Sequence, residues 1–418
     1  MVGAALARSR RARGGKGAAL SAPAQRTWRA RLVGVLKLAI AALVVWMVVR
    51  VVPWSDELRF KSGSDARVYR GTIEGEWKGE RVRFTFASGE DQGALPAEWA
   101  AGAGQVSAVE VQRSATTTWQ PGMPRVFRDV ESRGLAIALA LAALGVVATA
   151  LRWWRLLNAA GCPSRFFPAL RLSFIGFFFN IVVPGLTGGD LVKAVMIARS
   201  HPERRAAAAM SVLVDRLIGV LVLASMGAAA IVMQDESFPY PRTPIYVGLA
   251  AAAIAIPAYL STSLRRAIGF DKLLGKLPMS KLLRDIDEAI TVYSRAPREF
   301  ALALAFSIVN QSCVLGALVV LGHSFGDTSL DLIDYVVVGA VGNLASAVPL
   351  TPGGVGVTEM LYGQMTAALG GTFSIGFAVS IAWRLCMISI GLFGGLFLLT
   401  PGGKMSAAER AELAAQKN

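Results

Sequence analysis

Two apolar segments of this chain are each broken by proline and paired glycines, and these breaks constrain the fold more than any other feature. The first break runs from Asn180 to Asp190 (NIVVPGLTGGD), and the second lies between Asn343 and Glu359 and contains PLTPGGVGVTE. Irregular backbone at membrane depth is tolerated only where protein or a water-filled cavity covers it. Paired interrupted segments mark the binding sites of secondary transporters. The two breaks therefore predict a membrane protein with an internal polar site.

The composition agrees with a membrane location. Hydrophobic residues make up 54% of the chain and charged residues 17%, whereas about 25% of residues are charged in a typical soluble protein. A bilayer-spanning helix needs about 20 apolar residues. The sequence predicts an all-α polytopic membrane protein, with spans at 32–53, 134–151, 206–233, 244–261, 299–321 and 373–399.

The net charge of +15 is unevenly distributed, which argues against nucleic-acid binding. Residues 1–31 hold eight Lys/Arg and no acid, and residues 262–298 hold eight more, whereas 54–130 is nearly balanced. Basic loops stay cytoplasmic. We expect a disordered cytoplasmic N-terminus, a cytoplasmic loop at 262–298, a cytoplasmic tail at 400–418 and an extracytoplasmic insert at 54–130.

The arginines after the second span refine this topology. Arg152, Arg155, Arg165 and Arg171 are expected to mark the inner face. A full crossing at 166–186 would then carry the following basic residues, and the loop 262–298, to the outside. A re-entrant hairpin over 166–200 removes the conflict.

The insert 54–130 is predicted to be a small β-rich module. Residues 68–73 and 82–86 alternate between apolar and polar side chains, with a turn at Lys78-Gly79 between them, and 106–113 is a third predicted strand. The module could select a substrate on the outer side, or it could be a structural or partner-docking cap.

The two breaks occupy matched positions in two halves of similar length, 134–233 and 299–399. Pro184 and Pro349 both lie 50 residues from the start of their half, and the glycine pairs lie 54 and 55 residues in. With the topology above, the halves have opposite orientations. The sequence thus predicts an inverted repeat with two re-entrant hairpins, the first membrane repeat and its linking helix spanning 134–261 and the second 299–399.

Charged residues inside apolar segments normally face a cavity or one another. The repeat predicts two ion pairs, Asp190 with Arg216 and Glu359 with Arg384, while Asp215 is expected to serve Lys193. An arginine can hold a phosphate or carboxylate through two parallel hydrogen bonds. The pairs either contact an anionic headgroup or act as structural ties between each hairpin and its neighbour.

The hairpin tips complete the predicted site. Broken helices expose backbone N–H groups that form anion sites, and Asn180 and Asn343 are expected chiefly to cap them. No catalytic constellation, metal-ligand spacing or cofactor motif is found, so no enzyme activity is expected. The candidate substrate-binding residues are Asn180, Pro184, Gly188, Gly189, Asp190, Lys193, Asp215, Arg216, Asn343, Pro349, Pro352, Gly353, Gly354, Gly356, Glu359 and Arg384.

These motifs resemble the lysylphosphatidylglycerol synthase transmembrane-domain family, also called the flippase-like domain family. The resemblance covers about 134–399 and implies a bacterial or archaeal plasma-membrane protein that moves lipids or lipid-linked headgroups between leaflets. The multiple peptide resistance factors of this family carry a soluble aminoacyl transferase. This chain ends soon after the last predicted span, so lipid lysylation is not expected. It also carries the insert 54–130, which the family core does not require, so the substrate is not carried over from aminoacylated phosphatidylglycerol.

We therefore expect a lipid flippase-like transporter of the bacterial inner membrane, with both termini cytoplasmic. Its partners would be membrane lipids with an anionic or polyprenyl-linked headgroup, and the question of a homo-oligomer stays open. One alternative is a membrane-embedded enzyme or accessory protein of polyprenyl- or hopanoid-lipid metabolism. Another is a carrier of a small hydrophilic anion.

Overall fold

The protein is described here from a computed structural model. The described residues are 52–62, 65–88, 107–114, 116–182, 188–234, 296–346 and 355–399, with isolated positions elsewhere such as Trp99 and Tyr293. The predicted segments 1–31, 32–53, 244–261, 262–298 and 400–418 lie wholly or largely outside them. So do five candidate residues at the helix breaks: Pro184, Pro349, Pro352, Gly353 and Gly354.

A five-stranded antiparallel sheet occupies the region of the insert. Its strands are β1 (Asp56–Ser62), β2 (Asp65–Glu74), β3 (Arg81–Phe86), β4 (Ala108–Gln112) and β5 (Thr117–Gln120), in the order β4-β3-β2-β1-β5. The three predicted strands are confirmed as β2, β3 and β4, and β1 and β5 are additional.

Alternation along the strands builds a one-sided apolar core. Val82, Phe84 and Phe86 of β3 are buried while the residues between them face outward or lie half-buried. Leu58 of β1 and Ile73 of β2 are almost fully buried on the same side. A strand with this period buries one face and leaves the other to solvent.

A buried carboxylate fastens the sheet to the helical part of the chain. Asp56 accepts hydrogen bonds from the backbone N–H groups of Ile73 and Gly122 at 2.8 and 2.7 Å. It also forms an ion pair with Arg125 at 2.9 Å. Arg125 lies on the short helix α1 (Met123–Arg128), whose Phe127 ring packs edge-to-face on Phe325 at 5.6 Å.

Four of the described helices are long and apolar enough to cross a membrane. They are α2 (Ser132–Ala159), α5 (Arg205–Met233), α6 (Pro297–Ser324) and α9 (Phe373–Leu396). A short 3₁₀ turn at Pro202–Arg204 precedes α5. Leu144, Leu221, Ile308 and Leu385 are each about half exposed on their outer faces, as expected for side chains that meet lipid.

Four shorter helices flank the two breaks. The first pair is α3 (Phe166–Val182) and α4 (Gly188–Ser200), and the second is α7 (Leu332–Ser346) and α8 (Val357–Ala368). The four helices have 17, 13, 15 and 12 residues, and each falls below the length of about 20 residues that spans a bilayer.

The helices pack in two matching sets. Helices α2 and α6 contact each other along much of their length. Helix α3 packs on α4 and α4 on α5; in the same way α7 packs on α8 and α8 on α9. Each set also reaches across to the other, because α3 packs on α9 and α7 packs on α5.

Candidate functional site

A polar cavity of about 250 Å³ lies where helices α2 to α7 converge. Six of the predicted candidates line it: Asn180, Asp190, Lys193, Asp215, Arg216 and Asn343. Residues that were not among the candidates complete its polar lining: Thr149, Arg152, Ser173, Asn310, Gln311 and Ser346.

The side chain of Asn180 caps the helix that follows the first break. Its side-chain oxygen accepts a hydrogen bond from the backbone N–H of Gly189, at 2.8 Å, in the first turn of α4. The first N–H groups of a helix have no intrahelical partner, so such a cap stabilises the helix start. The predicted capping role of Asn180 is confirmed.

Gly189 is required at this position because two backbones approach closely. A Cβ built on Gly189 would lie 1.9 Å from the carbonyl oxygen of Gly176 on α3 and 2.7 Å from the side-chain oxygen of Asn180. No other residue type fits there without moving α4 away from α3. Gly189 therefore sets the distance between α3 and α4. Gly188 precedes it at the start of α4.

Both predicted ion pairs are present. Arg216 donates from a terminal guanidinium nitrogen to Asp190. The two side chains are 34% and 30% exposed, so water or a ligand in the cavity can reach them. This pair ties α4 to α5 while leaving charged atoms open to the cavity.

The second pair is more enclosed and does not line the cavity. Arg384 donates to Glu359 at 2.6 Å, and Glu359 also accepts from the backbone N–H of Gly356 at 2.6 Å. Gly356 has a φ of 87°, in the left-handed region that favours glycine. Glu359 thus caps α8 and also pairs with an arginine on α9. In the first half these two roles belong to two residues: Asn180 caps α4, and Asp190 pairs with an arginine on α5.

Arg152 lines the cavity although it was not among the candidate residues. It is buried and forms an ion pair with Asp215 at 2.7 Å, with a second hydrogen bond to the hydroxyl of Ser307 at 2.9 Å. The network joins α2, α5 and α6. Residue type alone does not distinguish an arginine at the interface from one whose charge is neutralised inside the bundle. Asp215, which was expected to serve Lys193, also acts on Lys193 electrostatically.

Lys193 packs against an aromatic ring on α2. It is 5% exposed, and its ammonium lies 3.8 Å from the centre of the Trp153 ring. Trp153 is itself fully buried and donates from its indole N–H to Ser211 at 3.1 Å. An ammonium over a tryptophan face is a favourable cation–π contact.

Asn343 brings the second break to the same cavity. It lines the cavity together with Ser346, whose hydroxyl donates to the Asn343 carbonyl oxygen at 2.6 Å. Both residues lie in the last turn of α7. The cavity is therefore bounded by helices that lead into and out of the first break and by the helix that leads into the second.

These features define a polytopic helical membrane protein with charged groups around an internal cavity. Residues 121–395 match the family described as the lysylphosphatidylglycerol synthase TM region. The match covers about two-thirds of the 418 residues, and the chain belongs to this family. The resemblance found in the sequence motifs is thus confirmed.

A curated relative is similar over about two-thirds of the chain. The UPF0104 membrane protein PH1989 of Pyrococcus horikoshii is 22% identical over 315 residues, which cover 67% of this chain and 92% of that protein. No solved structure matches the chain.

Proposed function

We propose that the protein is a flippase-like transporter that moves lipids with a charged headgroup between the leaflets of the bacterial plasma membrane. The observation that carries the proposal is the cavity itself. Asp190, Lys193 and Arg216 line an internal space in a bundle whose outer faces are apolar. A charged side chain at the bilayer centre costs about 2.5–3.5 kcal/mol on insertion scales. Such groups are usually retained for a polar pathway.

The volume of the cavity suits a lipid headgroup rather than a whole lipid. Its volume of about 250 Å³ falls below the range of about 300–1,000 Å³ that is usual for ligand pockets. A headgroup enters such a space while its acyl chains stay outside among the exposed leucines of α5 and α9. The proposed path therefore carries the polar part of the lipid through protein and the apolar part through the bilayer.

Two features support alternating access. Helices α4, α7 and α8 have 13, 15 and 12 residues and are shorter than a full span, and α3, with 17 residues, is at the lower limit. Such short helix pairs support re-entrant hairpins. The matching contacts of the two halves, with α3 on α9 and α7 on α5, support an internal repeat. Together with the uneven charge distribution, from which we expect the basic termini to lie inside, they favour an inverted repeat whose halves rock about the cavity.

Leaflet exchange in proteoliposomes tests the proposal. We would reconstitute the full chain with headgroup-preserving fluorescent phospholipids and measure the fraction that an impermeant reductant quenches over time. Wild type and Arg83→Gln, on the exposed face of β3, should exchange lipid faster than protein-free vesicles. Arg216→Gln should be slower, because Asp190 then lacks its partner. Wild-type exchange at the protein-free rate would refute the proposal.

A further inference from the structure

Four buried hydroxyl groups on α8 and the first turn of α9 have no hydrogen-bond partner among the described residues. They belong to Thr358, Tyr362 and Thr366 of α8 and to Ser374 of α9. Each of these residues is at most 7% exposed. The large majority of buried side-chain polar atoms are hydrogen-bonded to protein or to ordered water. Four such hydroxyls in one region of the bundle therefore require partners that come from solvent.

The three hydroxyls of α8 form a row along one side of the helix. Thr358, Tyr362 and Thr366 are four residues apart, and residues at this spacing are neighbours on a helix surface. With a rise of about 1.5 Å per residue, the row is about 12 Å long. It begins in the first turn of α8, beside Glu359, and ends in the last turn, before the connection to α9. We call these three residues and Ser374 the hydroxyl row.

The hydroxyl row lies between α7 and α9, where glycines of both helices face it. A Cβ built on Gly342 of α7 would lie 2.0 Å from the Tyr362 ring, and one built on Gly376 of α9 would lie 2.3 Å from the hydroxyl oxygen of Thr366. Buried water typically makes two to four hydrogen bonds to groups of this kind. Because a hydroxyl both donates and accepts, hydroxyls and waters in series can pass a proton along the helix.

The row ends beside a carboxylate that can receive the proton. Glu359 is 4% exposed, and Arg384, the one charged residue of α9, donates to it at 2.6 Å. Tyr362 lies within electrostatic reach of both members of this ion pair. On α7 the ionisable residues, Asp334 and Tyr335, lie in the first turn, at the end away from the break. Arg384 and Tyr362 are therefore the ionisable groups that face Glu359.

We propose that the hydroxyl row is a proton path and that Glu359 binds and releases the proton. The inference rests on the proposed function and names the ion that is transported with the lipid. A proton leaves water at the end of α8 that leads to α9, passes between waters and hydroxyls, and forms an O–H bond on the Glu359 carboxylate. The carboxylate loses its charge, the ion pair with Arg384 is broken, and the guanidinium keeps its positive charge.

Charge balance links the proton to headgroup movement. When Glu359 is neutralised, the second half gains one positive charge and loses the ion pair that ties α8 to α9. A headgroup with one negative charge offsets the gained charge, so a proton and an anionic headgroup together carry no net charge. In the inverted-repeat topology proposed above, the connection between α8 and α9 lies on the outer side. Protons then enter from outside, and the proton gradient supplies the energy for transport.

Leaflet exchange under an imposed proton gradient tests the path. Proteoliposomes with labelled phosphatidylglycerol would be measured with an acidic exterior, at the same exterior pH after an ionophore has collapsed the gradient, and with a sodium gradient at equal pH. We expect wild-type exchange to accelerate under the proton gradient alone. Glu359→Gln should lose this acceleration because its side chain cannot be protonated.

Variants of the row separate the path from the carboxylate. Tyr362→Phe and Thr366→Val each remove a hydroxyl and keep the shape of the side chain, and both should lose most of the acceleration. The matched control is Ser389→Ala, whose hydroxyl lies on the exposed face of α9 and donates to the Leu385 carbonyl oxygen at 2.9 Å. Ser389→Ala should respond to the gradient as wild type does.

Infrared difference spectra after a pH jump give a readout that does not need transport. Acidification of wild type should produce the C=O band of a protonated carboxylic acid, and Glu359→Gln should lack this band. In Tyr362→Phe and Thr366→Val the band should reach the same height, which shows that they fold, but rise more slowly. Equal bands in wild type and Glu359→Gln, or equal rates in wild type and both hydroxyl variants, would refute the path.

The two assays distinguish failure of the path from failure of the proposed function. Lipid exchange that ignores the proton gradient, or that a sodium gradient drives instead, would refute proton coupling and leave lipid transport standing. A Glu359-dependent band whose rise depends on the hydroxyl row, with no lipid exchange under any gradient, would support the proton path and refute lipid transport.

Discussion

The buried pair of Arg152 and Asp215 gives the sharpest stability prediction. Their side chains are 4% and 8% exposed and 2.7 Å apart, and Ser307 satisfies a second nitrogen of the guanidinium. Removing one member leaves the other charge buried without its partner, which typically costs about 3–5 kcal/mol. We expect Arg152→Met and Asp215→Leu each to destabilise the protein by about that amount.

The double variant Arg152→Met with Asp215→Leu should behave differently from either single variant. Apolar replacements of similar volume remove both charges at once, and such exchanges are often neutral or stabilising by about 1–4 kcal/mol. Reversible unfolding in mixed detergent micelles, followed by helical circular dichroism, would give the four free energies of a double-mutant cycle.

The test compares the loss of stability in the double variant with the sum of the losses in the two single variants. We expect the double variant to lie close to wild type, so that the two single losses are strongly non-additive. Single variants that cost less than about 1 kcal/mol, or a double variant that loses the sum of both, would show that the pair is solvated rather than buried.

Three further predictions concern backbone and sheet. Asn180→Ala should cost about 1 kcal/mol by removing the cap on α4, measured by unfolding, whereas Asn180→Asp should restore most of it. Gly189→Ala should abolish a stable fold in size-exclusion chromatography, since its Cβ would meet backbone at 1.9 Å. The matched Gly316→Ala, where the nearest atom to a Cβ would be 3.9 Å away, should be tolerated. Asp56→Ala should leave the region of the sheet open to limited proteolysis, because three donors lose their acceptor; unchanged protection would contradict its anchoring role.

Much of the site was predictable from charged residues at equivalent positions in the two halves of the sequence. Asp190 with Arg216 and Glu359 with Arg384 followed from equivalent positions in the two halves, because a charge in an apolar segment needs a partner. The pairing of Arg152 with Asp215 was not predicted, since the two residues lie on different helices and only the packing of α2 on α5 and α6 brings them together. Ser173 was also missed, because only the packing of the helices places it in the wall of the cavity.

The fold was predictable to a similar extent. Apolar length located the four long helices, and proline with paired glycines located the two short pairs. Alternation located β2, β3 and β4. It missed β1, where Asp56 is a buried anchor and breaks the pattern, and β5, which has only four residues. The convergence of six helices on one cavity is a tertiary property that no local pattern encodes.

Solvent access to the cavity tests the central claim most directly. The native cysteines provide a low background: all three are buried, and burial raises the pKa of the Cys162 thiol, which disfavours the reactive thiolate. We would compare Asn310→Cys, which lines the cavity, with its neighbour Val309→Cys, which is 45% exposed on the apolar outer surface.

Both variants would be treated in intact vesicles with a charged, membrane-impermeant thiol reagent. A water-filled headgroup path predicts rapid labelling at position 310 that phosphatidylglycerol slows, with little labelling at position 309. Labelling at 309 with none at 310 would mean that water does not reach the cavity, and the proposed passage for charged headgroups would be wrong.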